Sequence, residues 1–171
     1  MLKLGIIGTH IITDQMLDAA KTTGKYQLTA VYSRTLDRAK EFGKPYGATE
    51  FYDDLEKFFE DGDFDVVYIA SPNSLHYQQA RLAIENDKFV IVEKPAFVNP
   101  SEFSGIQSLL AAHPKTRLVE AARHIHTPLY KEGLKKVDEM KEHYVQGATI
   151  TVMKYSSRYD KVLAGDEPYP N

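Results

Sequence analysis

The chain has 171 residues, 43% of them hydrophobic and 26% charged, with a formal net charge of -3. That length allows one well-buried domain with residues left over, and the charge gives no general drive toward nucleic acid or an anionic membrane. Cysteine is absent, which excludes disulfide frameworks, Cys-ligated zinc and thiol catalysis, and no apolar run is long enough to span a bilayer.

The N-terminus, Met1 to Gly8, lacks the length and cleavage pattern of a secretory signal. A strand is expected to start at once, and a cytoplasmic location is expected by default. That strand is Leu4 to Ile7. Met16, Ala19 and Ala20, spaced i, i+3, i+4, then predict a helix. Leu28 to Tyr32 is the second strand, and Thr35 is placed to cap a helix from Leu36. Thr49 to Tyr52 is a short strand candidate. Asp53 with Glu56 forms a capping-box candidate for a helix whose face carries Leu55, Phe58 and Phe59. Val66 to Ala70 is a strand, followed by a helix marked by Tyr77, Ala80 and Ile84. Phe89 to Val92 is the next strand. Asn99-Pro100-Ser101-Glu102 then starts a helix with Ile106, Leu109 and Leu110 inward, and Leu118 to Ala121 is the last strand of the series.

These apolar runs are near-continuous rather than alternating, as in strands covered on both faces. Strands alternating with helices imply right-handed crossovers. The fold class expected is α/β, a Rossmann-like doubly wound parallel sheet, over residues 1–122.

The pattern changes after about Arg123. Thr127 to Met140 is expected to be a helix with Tyr130, Leu134 and Val137 on one face. Ala148 to Val152 alternates strictly, which suggests an antiparallel strand with one wet face. The tail, Asp160 to Asn171, is expected to be a loop. Residues 123–171 are therefore read as the beginning of an α+β second domain with an antiparallel sheet, incomplete within this chain.

Gly8-Thr9-His10-Ile11-Ile12-Thr13 lies between the first strand and the first helix, where a dinucleotide-binding turn belongs. Gly8 suits the tight turn, and the helix N-terminus offers unpaired N–H groups to a pyrophosphate. His10 stands where a second glycine would let the backbone approach the phosphate, and Thr13 takes the third position. Either His10 or Thr9 is a side-chain donor to phosphate, or the segment is a ligand-free turn. At the end of the second strand no acid waits for a ribose 2′-OH. Ser33 and Arg34 suit a 2′-phosphate instead, and Arg38, one helical turn on, is placed to cover the adenine. These residues point to NADP, with NAD as the alternative. Ordinary surface arginines are the plainer reading, more so for Arg38.

Two further segments, Tyr68-Ile69-Ala70-Ser71-Pro72-Asn73-Ser74-Leu75-His76 and Val90-Ile91-Val92-Glu93-Lys94-Pro95, complete a pattern with Gly5-Ile6-Ile7-Gly8-Thr9. Over residues 1 to about 125 the chain resembles the Gfo/Idh/MocA family of glucose-fructose oxidoreductase, inositol dehydrogenase and rhizopine-catabolism proteins. The resemblance implies hydride transfer between NAD or NADP and a hydroxyl or carbonyl carbon of a sugar, cyclitol or related polyol. By their position at the first turn and at the end of the second strand, Gly8, Thr9, His10 and Ile11, with Ser33, Arg34 and Arg38, are the candidate cofactor-holding residues. By the resemblance, Ser71, Pro72, Asn73 and His76 would line the ribose and nicotinamide end of the cofactor. Glu93 would help hold the cofactor. Lys94 would point at the reacting oxygen as proton donor or electrostatic aid, and Pro95 would shape the turn through a cis bond. Family members continue through a large sheet that forms the substrate floor and often a dimer interface, so a homo-oligomer is expected when full length.

The plainer alternatives are a surface Glu93–Lys94 ion pair and His76 as simply the first turn of a helix. The glycine fingerprint departs from the family at His10 and Thr13, and Glu120 to His126 matches the family crossover only loosely. No acid-base partner for Lys94 is identifiable. His124 and His126 would share a face if extended, but no third ligand is spaced to join them, so a packing or substrate-edge role is expected and no metal site. Tyr155 and Tyr159 are candidates for the substrate side or for edge packing. A non-catalytic dinucleotide-binding sensor is the alternative function, motivated by the altered glycine turn.

Overall fold

Six strands form one sheet: β1 (Leu2–Ile7), β2 (Tyr26–Tyr32), β3 (Glu50–Tyr52), β4 (Val66–Ile69), β5 (Phe89–Val92) and β6 (Leu118–Glu120). Their order is β3-β2-β1-β4-β5-β6, and every neighbouring pair is parallel. The computed structural model describes residues 1–140, 149, 151 and 159–165. Its chain divides into two compact units, Met1–Ala122 and Arg123–Asn171.

In the first unit five helices connect the strands: α1 (Ile11–Thr23), α2 (Leu36–Gly43), α3 (Leu55–Asp61), α4 (His76–Glu85) and α5 (Pro100–Ala112). The near-continuous apolar runs have the burial they call for, since all four residues of β4 are buried. Successive strand residues point to opposite faces and feed two cores. Ile7, Val67 and Ile69 join Phe58, Phe59, Ala80, Ile84 and Ile106 of α3, α4 and α5. Ile6, Val66 and Tyr68 join Leu17, Ala39 and Phe42 of α1 and α2. The sheet is thus covered by helices on both faces, a doubly wound Rossmann-like fold.

Three local readings shift in detail. The inward stripe of α1 is Thr13, Leu17 and Ala20, with Met16 half-buried and Ala19 exposed. The helix starts straight after the Gly8 turn, and the Thr13 hydroxyl donates to the Gly8 carbonyl at 3.0 Å, which sets that rotation. The cap of α3 is Asp54 rather than Asp53, its carboxylate accepting from the Lys57 N–H at 3.1 Å. Glu102 does reach back, but to the Val98 N–H at 3.0 Å, while Asn99 caps α5 by accepting from the Glu102 N–H. Thr35 caps α2 as expected.

In the second unit, α6 (Pro128–Glu139) is capped by Thr127, and its Tyr130, Leu134 and Val137 are all exposed. Arg123–His126 is a turn of 3-10 helix and not an extended segment, so His124 and His126 do not share a strand face; the His124 ring meets Tyr130 edge-on at 5.7 Å. Where a loop was expected from Asp160, α7 (Tyr159–Leu163) forms, with the Ala164 N–H donating to the Asp160 carbonyl and the left-handed Gly165 after it. Nothing between Tyr159 and Ala164 breaks a helix. The alternating segment Ala148 to Val152, but for Thr149 and Thr151, lies outside the described residues, as do Tyr155 and the tail beyond Gly165. Among the described residues no helix is long and apolar enough to cross a membrane.

Phe58 is fully buried and its ring touches those of Tyr32, Tyr52, Phe59 and Phe64 at centroid distances of 4.6 to 6.0 Å. Replacing it with alanine removes those contacts and leaves a cavity. Phe58→Ala is expected to lower stability by about 3–5 kcal/mol, measured as a shift in the urea unfolding midpoint at unchanged slope.

Candidate functional site

The sheet order reverses between β1 and β4, because β2 and β3 run outward on one side and β5 and β6 on the other. Loops leaving the carboxyl ends of β1 and β4 therefore diverge and open a crevice. Gly8 leaves β1 there with φ +101°, a region L side chains rarely adopt. A Cβ on Gly8 would lie 2.4 Å from the Ala70 carbonyl oxygen, so the β1 and β4 exits pass backbone against backbone.

At the head of α1, His10 occupies the cap position with extended backbone, is exposed, and caps nothing with its side chain. Its carbonyl accepts from the Thr13 and Asp14 N–H groups. With the Thr13 and Asp14 N–H groups bonded to His10, the N–H groups of Ile11 and Ile12 are those the helix itself leaves without a partner, and Ile11 is 74% exposed. Thr9 is buried, and its hydroxyl oxygen accepts from Arg38 Nε at 3.1 Å. Arg38 also donates to the Thr9 carbonyl at 2.7 Å and to Glu41 at 2.9 Å, and lies over the Phe42 ring. In this arrangement Arg38 braces the Gly8 turn rather than extending over an adenine position.

Past the end of β2, Ser33 is half-buried and donates its main-chain N–H to the Tyr52 carbonyl at 3.0 Å, while Arg34 is exposed. Arg34 forms no hydrogen bond or ion pair among the described residues. The Tyr32 phenol before it is pushed above its ordinary range, chiefly by burial, then by Asp54 and Asp53, with Arg34 pulling the other way.

At the ends of β4 and β5 the remaining candidates come together. Ser71 donates through its hydroxyl to Gln79 Oε1 at 2.6 Å, while Pro72 and Asn73 are exposed on the loop. His76 is the first residue of α4 and is fully buried. Its two ring nitrogens lie 3.0 Å from the Ser71 and Pro95 carbonyls, so the ring sits beneath the loop and not on its surface. Glu93 is 8% exposed and accepts from the Tyr68 hydroxyl at 2.7 Å and the Lys94 N–H at 3.3 Å. It forms no ion pair with Lys94. The Lys94 side chain is exposed, and the Lys94–Pro95 bond is cis. Among the described residues no three His, Asp or Glu side chains cluster closely enough to hold a metal.

Three supporting residues escaped the sequence reading. Tyr68 and Gln79 hold Glu93 and Ser71, and Glu120 accepts from the Ala96 N–H at 2.9 Å, pinning the chain after Pro95. A tyrosine inside an otherwise aliphatic run needs a partner for its hydroxyl, and Gln79 stands one turn after His76 on the buried face of α4. Those two signals were present.

A model of the oxidoreductase family with an NAD-binding Rossmann fold, GFO_IDH_MocA, matches residues 2–121. The chain belongs to the Gfo/Idh/MocA oxidoreductase family. It is 39% identical over 165 residues to scyllo-inositol 2-dehydrogenase (NADP(+)) IolU of Bacillus subtilis (strain 168), covering 96% of this chain and 49% of that protein. It is 36% identical over 173 residues to the uncharacterized oxidoreductase YgjR of Escherichia coli (strain K12), covering 98% of this chain and 50% of that protein. A solved structure of a KijD10 variant, a 3-ketoreductase from Actinomadura kijaniata in complex with TDP-benzene and NADP, superposes with a TM-score of 0.74 at 26% identity, covering 82% of this chain and 43% of that one. The chain spans about half the length of the curated relatives it matches.

The Gfo/Idh/MocA residues present fit a dinucleotide. Gly8, with its positive φ and its close passage against Ala70, is in place at the turn, and the head of α1 follows directly from it. His10 replaces the second glycine, yet its side chain stands in solvent and blocks nothing by bonding across the turn. Gly8→Ala is expected to lower stability by at least about 2 kcal/mol, from the unfavourable φ and the clash with Ala70, read as a lower chemical-denaturation midpoint.

Proposed function

We propose that this chain carries the cofactor site of an NADP-preferring oxidoreductase that transfers hydride between nicotinamide and a hydroxyl or carbonyl carbon of a sugar- or polyol-like substrate. The observation that carries the proposal is the convergence of the Gly8 turn, the Ser71–Asn73 loop and the Lys94–Pro95 turn on one edge of the sheet at the switch point. Ligands of open parallel sheets bind there. The names of two similar proteins, an NADP(+)-linked inositol dehydrogenase and a ketoreductase bound to NADP, support the same chemistry.

A bound nicotinamide dinucleotide supplies or takes up the hydride. The N–H groups at the start of α1 hold its pyrophosphate through hydrogen bonds and the helix dipole. Gly8 gives that helix its angle, Thr9 and Arg38 brace the turn, and His10 and Ile11 form its rim. Ser33 and Arg34 receive the 2′-phosphate, Arg34 with a charge-assisted fork. Ser71, Pro72 and Asn73 form the wall at the nicotinamide end. Glu93, held by Tyr68, fixes the main chain of Lys94. The Lys94 ammonium faces the reacting oxygen, donates a hydrogen bond to it and balances negative charge that develops there.

The test is a pair of fluorescence titrations of this chain with NADPH and with NADH. Tighter binding of NADPH is expected. Arg34→Ala is expected to weaken NADPH by about tenfold or more and leave NADH unchanged, the size of a charge-assisted hydrogen bond. Preference for NADH overturns the 2′-phosphate assignment, and binding of neither overturns the cofactor site. Lys94→Ala is expected to keep NADPH binding while lowering turnover of a polyol or its ketone by roughly 10²–10⁴-fold. Cofactor binding with no turnover by the wild type on any polyol would favour the sensor reading.

A further inference from the structure

The cofactor-edge loops of β4 and β5 carry the candidate nicotinamide wall and Lys94, and one side chain joins them. His76 is fully buried, with Nδ1 3.0 Å from the Pro95 carbonyl and Nε2 3.0 Å from the Ser71 carbonyl. Ser71 and Pro95 lie 24 positions apart in sequence and at the exits of neighbouring strands. The imidazole is a rigid planar ring, so it sets the spacing of the two carbonyls, and with them the two loops. At the strand ends Tyr68 and Ile69 of β4 bond Glu93; beyond them, no other described side chain meets both the Ser71 and the Pro95 carbonyl. Gln79 holds Ser71 from within α4, Glu93 holds the Lys94 N–H from within β5's own end, and Glu120 holds Ala96 from β6. None of these three contacts reaches both loops.

We propose that His76 is a positioning residue, which locks the Ser71–Asn73 loop and the Lys94–Pro95 turn into one cradle for the nicotinamide half of the dinucleotide without touching it. The proposal rests on the cofactor reading above. It differs from a lining role, because the ring has no accessible surface to offer a ligand. It differs from a merely structural role, because the adenine half is held elsewhere, at the Gly8 turn and the end of β2, and does not depend on this strut.

That separation supplies the test. NADPH engages both halves of the site, whereas 2′,5′-ADP engages only the adenosine and its phosphates. In position, the amide nitrogen of asparagine stands in for Nδ1 and that of glutamine for Nε2. His76→Asn therefore offers a donor to the Pro95 carbonyl, His76→Gln offers one to the Ser71 carbonyl, and His76→Ala offers neither; which ring nitrogen donates in the wild type depends on the tautomer. Affinities of the wild type and the three variants for NADPH and for 2′,5′-ADP would be measured by fluorescence and calorimetry, with thermal melting as the check of folding. The expected result is that His76→Ala weakens NADPH by about tenfold, the size of one lost hydrogen bond, and leaves 2′,5′-ADP within about twofold of the wild type. The amide variants should recover part of that loss. Where the chain turns over a polyol, His76→Ala should also lower kcat more than it raises the KM for that polyol, since Lys94 moves with Pro95.

The same measurements overturn the proposal if the NADPH affinity of a folded His76→Ala matches the wild type, or if NADPH and 2′,5′-ADP weaken together. Loss of the fold in all three variants overturns it too, since His76 would then be a scaffold residue only. A wild type that binds 2′,5′-ADP but gains nothing from the nicotinamide half removes the cradle while leaving the 2′-phosphate site. A wild type that binds neither probe removes the cofactor reading, and this inference with it.

Discussion

The architecture depends on the close passage of Gly8 against Ala70. A Cβ at position 8 would stand 2.4 Å from a main-chain oxygen, and main chain cannot swing aside as a side chain can. Because the two strand exits touch there, β1 and β4 remain neighbours up to their ends, and the loops beyond must part. The crevice is the geometric result. The same turn sends α1 back across the sheet, and Thr13 ties the helix to the Gly8 carbonyl, so the open N-terminal turn of α1 is aimed from within the fold. Arg38 adds a second tie from α2 through Thr9. One glycine thus couples strand pairing, helix direction and the anion-facing edge.

Stability and site geometry draw on different interactions. The surface ion pairs of Lys3 with Asp63, Arg81 with Glu85 and Lys136 with Glu132 are exposed and contribute little to stability. The aromatic cluster around Phe58 outweighs them together, because the rings of Phe58, Phe59 and Phe64 are buried, with Tyr32 and Tyr52 half-buried against them. At the cofactor edge the order reverses. Here the buried groups are polar: His76, Gln79, Glu93 and the hydroxyl of Tyr68. Each has a partner, and no buried side-chain nitrogen or oxygen among the described residues is left without one. Satisfied polar networks of this kind add little net stability, since water offered the same bonds in the unfolded chain, but they allow few alternative geometries. The edge is held by direction rather than by area.

Much of the fold was legible because burial on both strand faces writes itself into the sequence as continuous apolar runs. Phe89 to Val92 is a strand with those bounds, and Val66 to Ala70 is one residue too long. Elements whose identity hangs on a single residue were less legible. Asp53 and Asp54 are chemically equal, and only the start of α3 decides which one caps it. The stripe of α1 was misplaced because a polar Thr13 leads it, and period counting looks for apolar residues. In the site, motif spacing brought Ser71, His76, Glu93 and Lys94 to one edge, but residue type does not reveal which way a side chain turns. His76 was read as facing the cofactor and faces two carbonyls instead. Arg38, placed by its spacing to cover the adenine and more plainly an ordinary surface arginine, is bound to Thr9. Tyr68 and Glu93 stand 25 positions apart, and their pairing exists only because β4 and β5 are adjacent.

The two arginines near the end of β2 show how prior organisation divides work within the proposed NADP site. Arg38 is already committed to Thr9 and Glu41, so it contributes a rigid turn, its charge offset by the Glu41 carboxylate, and no free donor fork for a phosphate. Arg34 is exposed and uncommitted among the described residues, so ordering its side chain on binding costs about 1.5–2 kcal/mol of rotamer entropy. One charge-assisted bond of about 1.5–3 kcal/mol exceeds that cost by at most about 1.5 kcal/mol, near one order of magnitude in affinity. An exposed pair is also screened over about 8 Å at physiological ionic strength. In the proposed site, discrimination between the two cofactors is therefore a modest, salt-dependent difference set at β2.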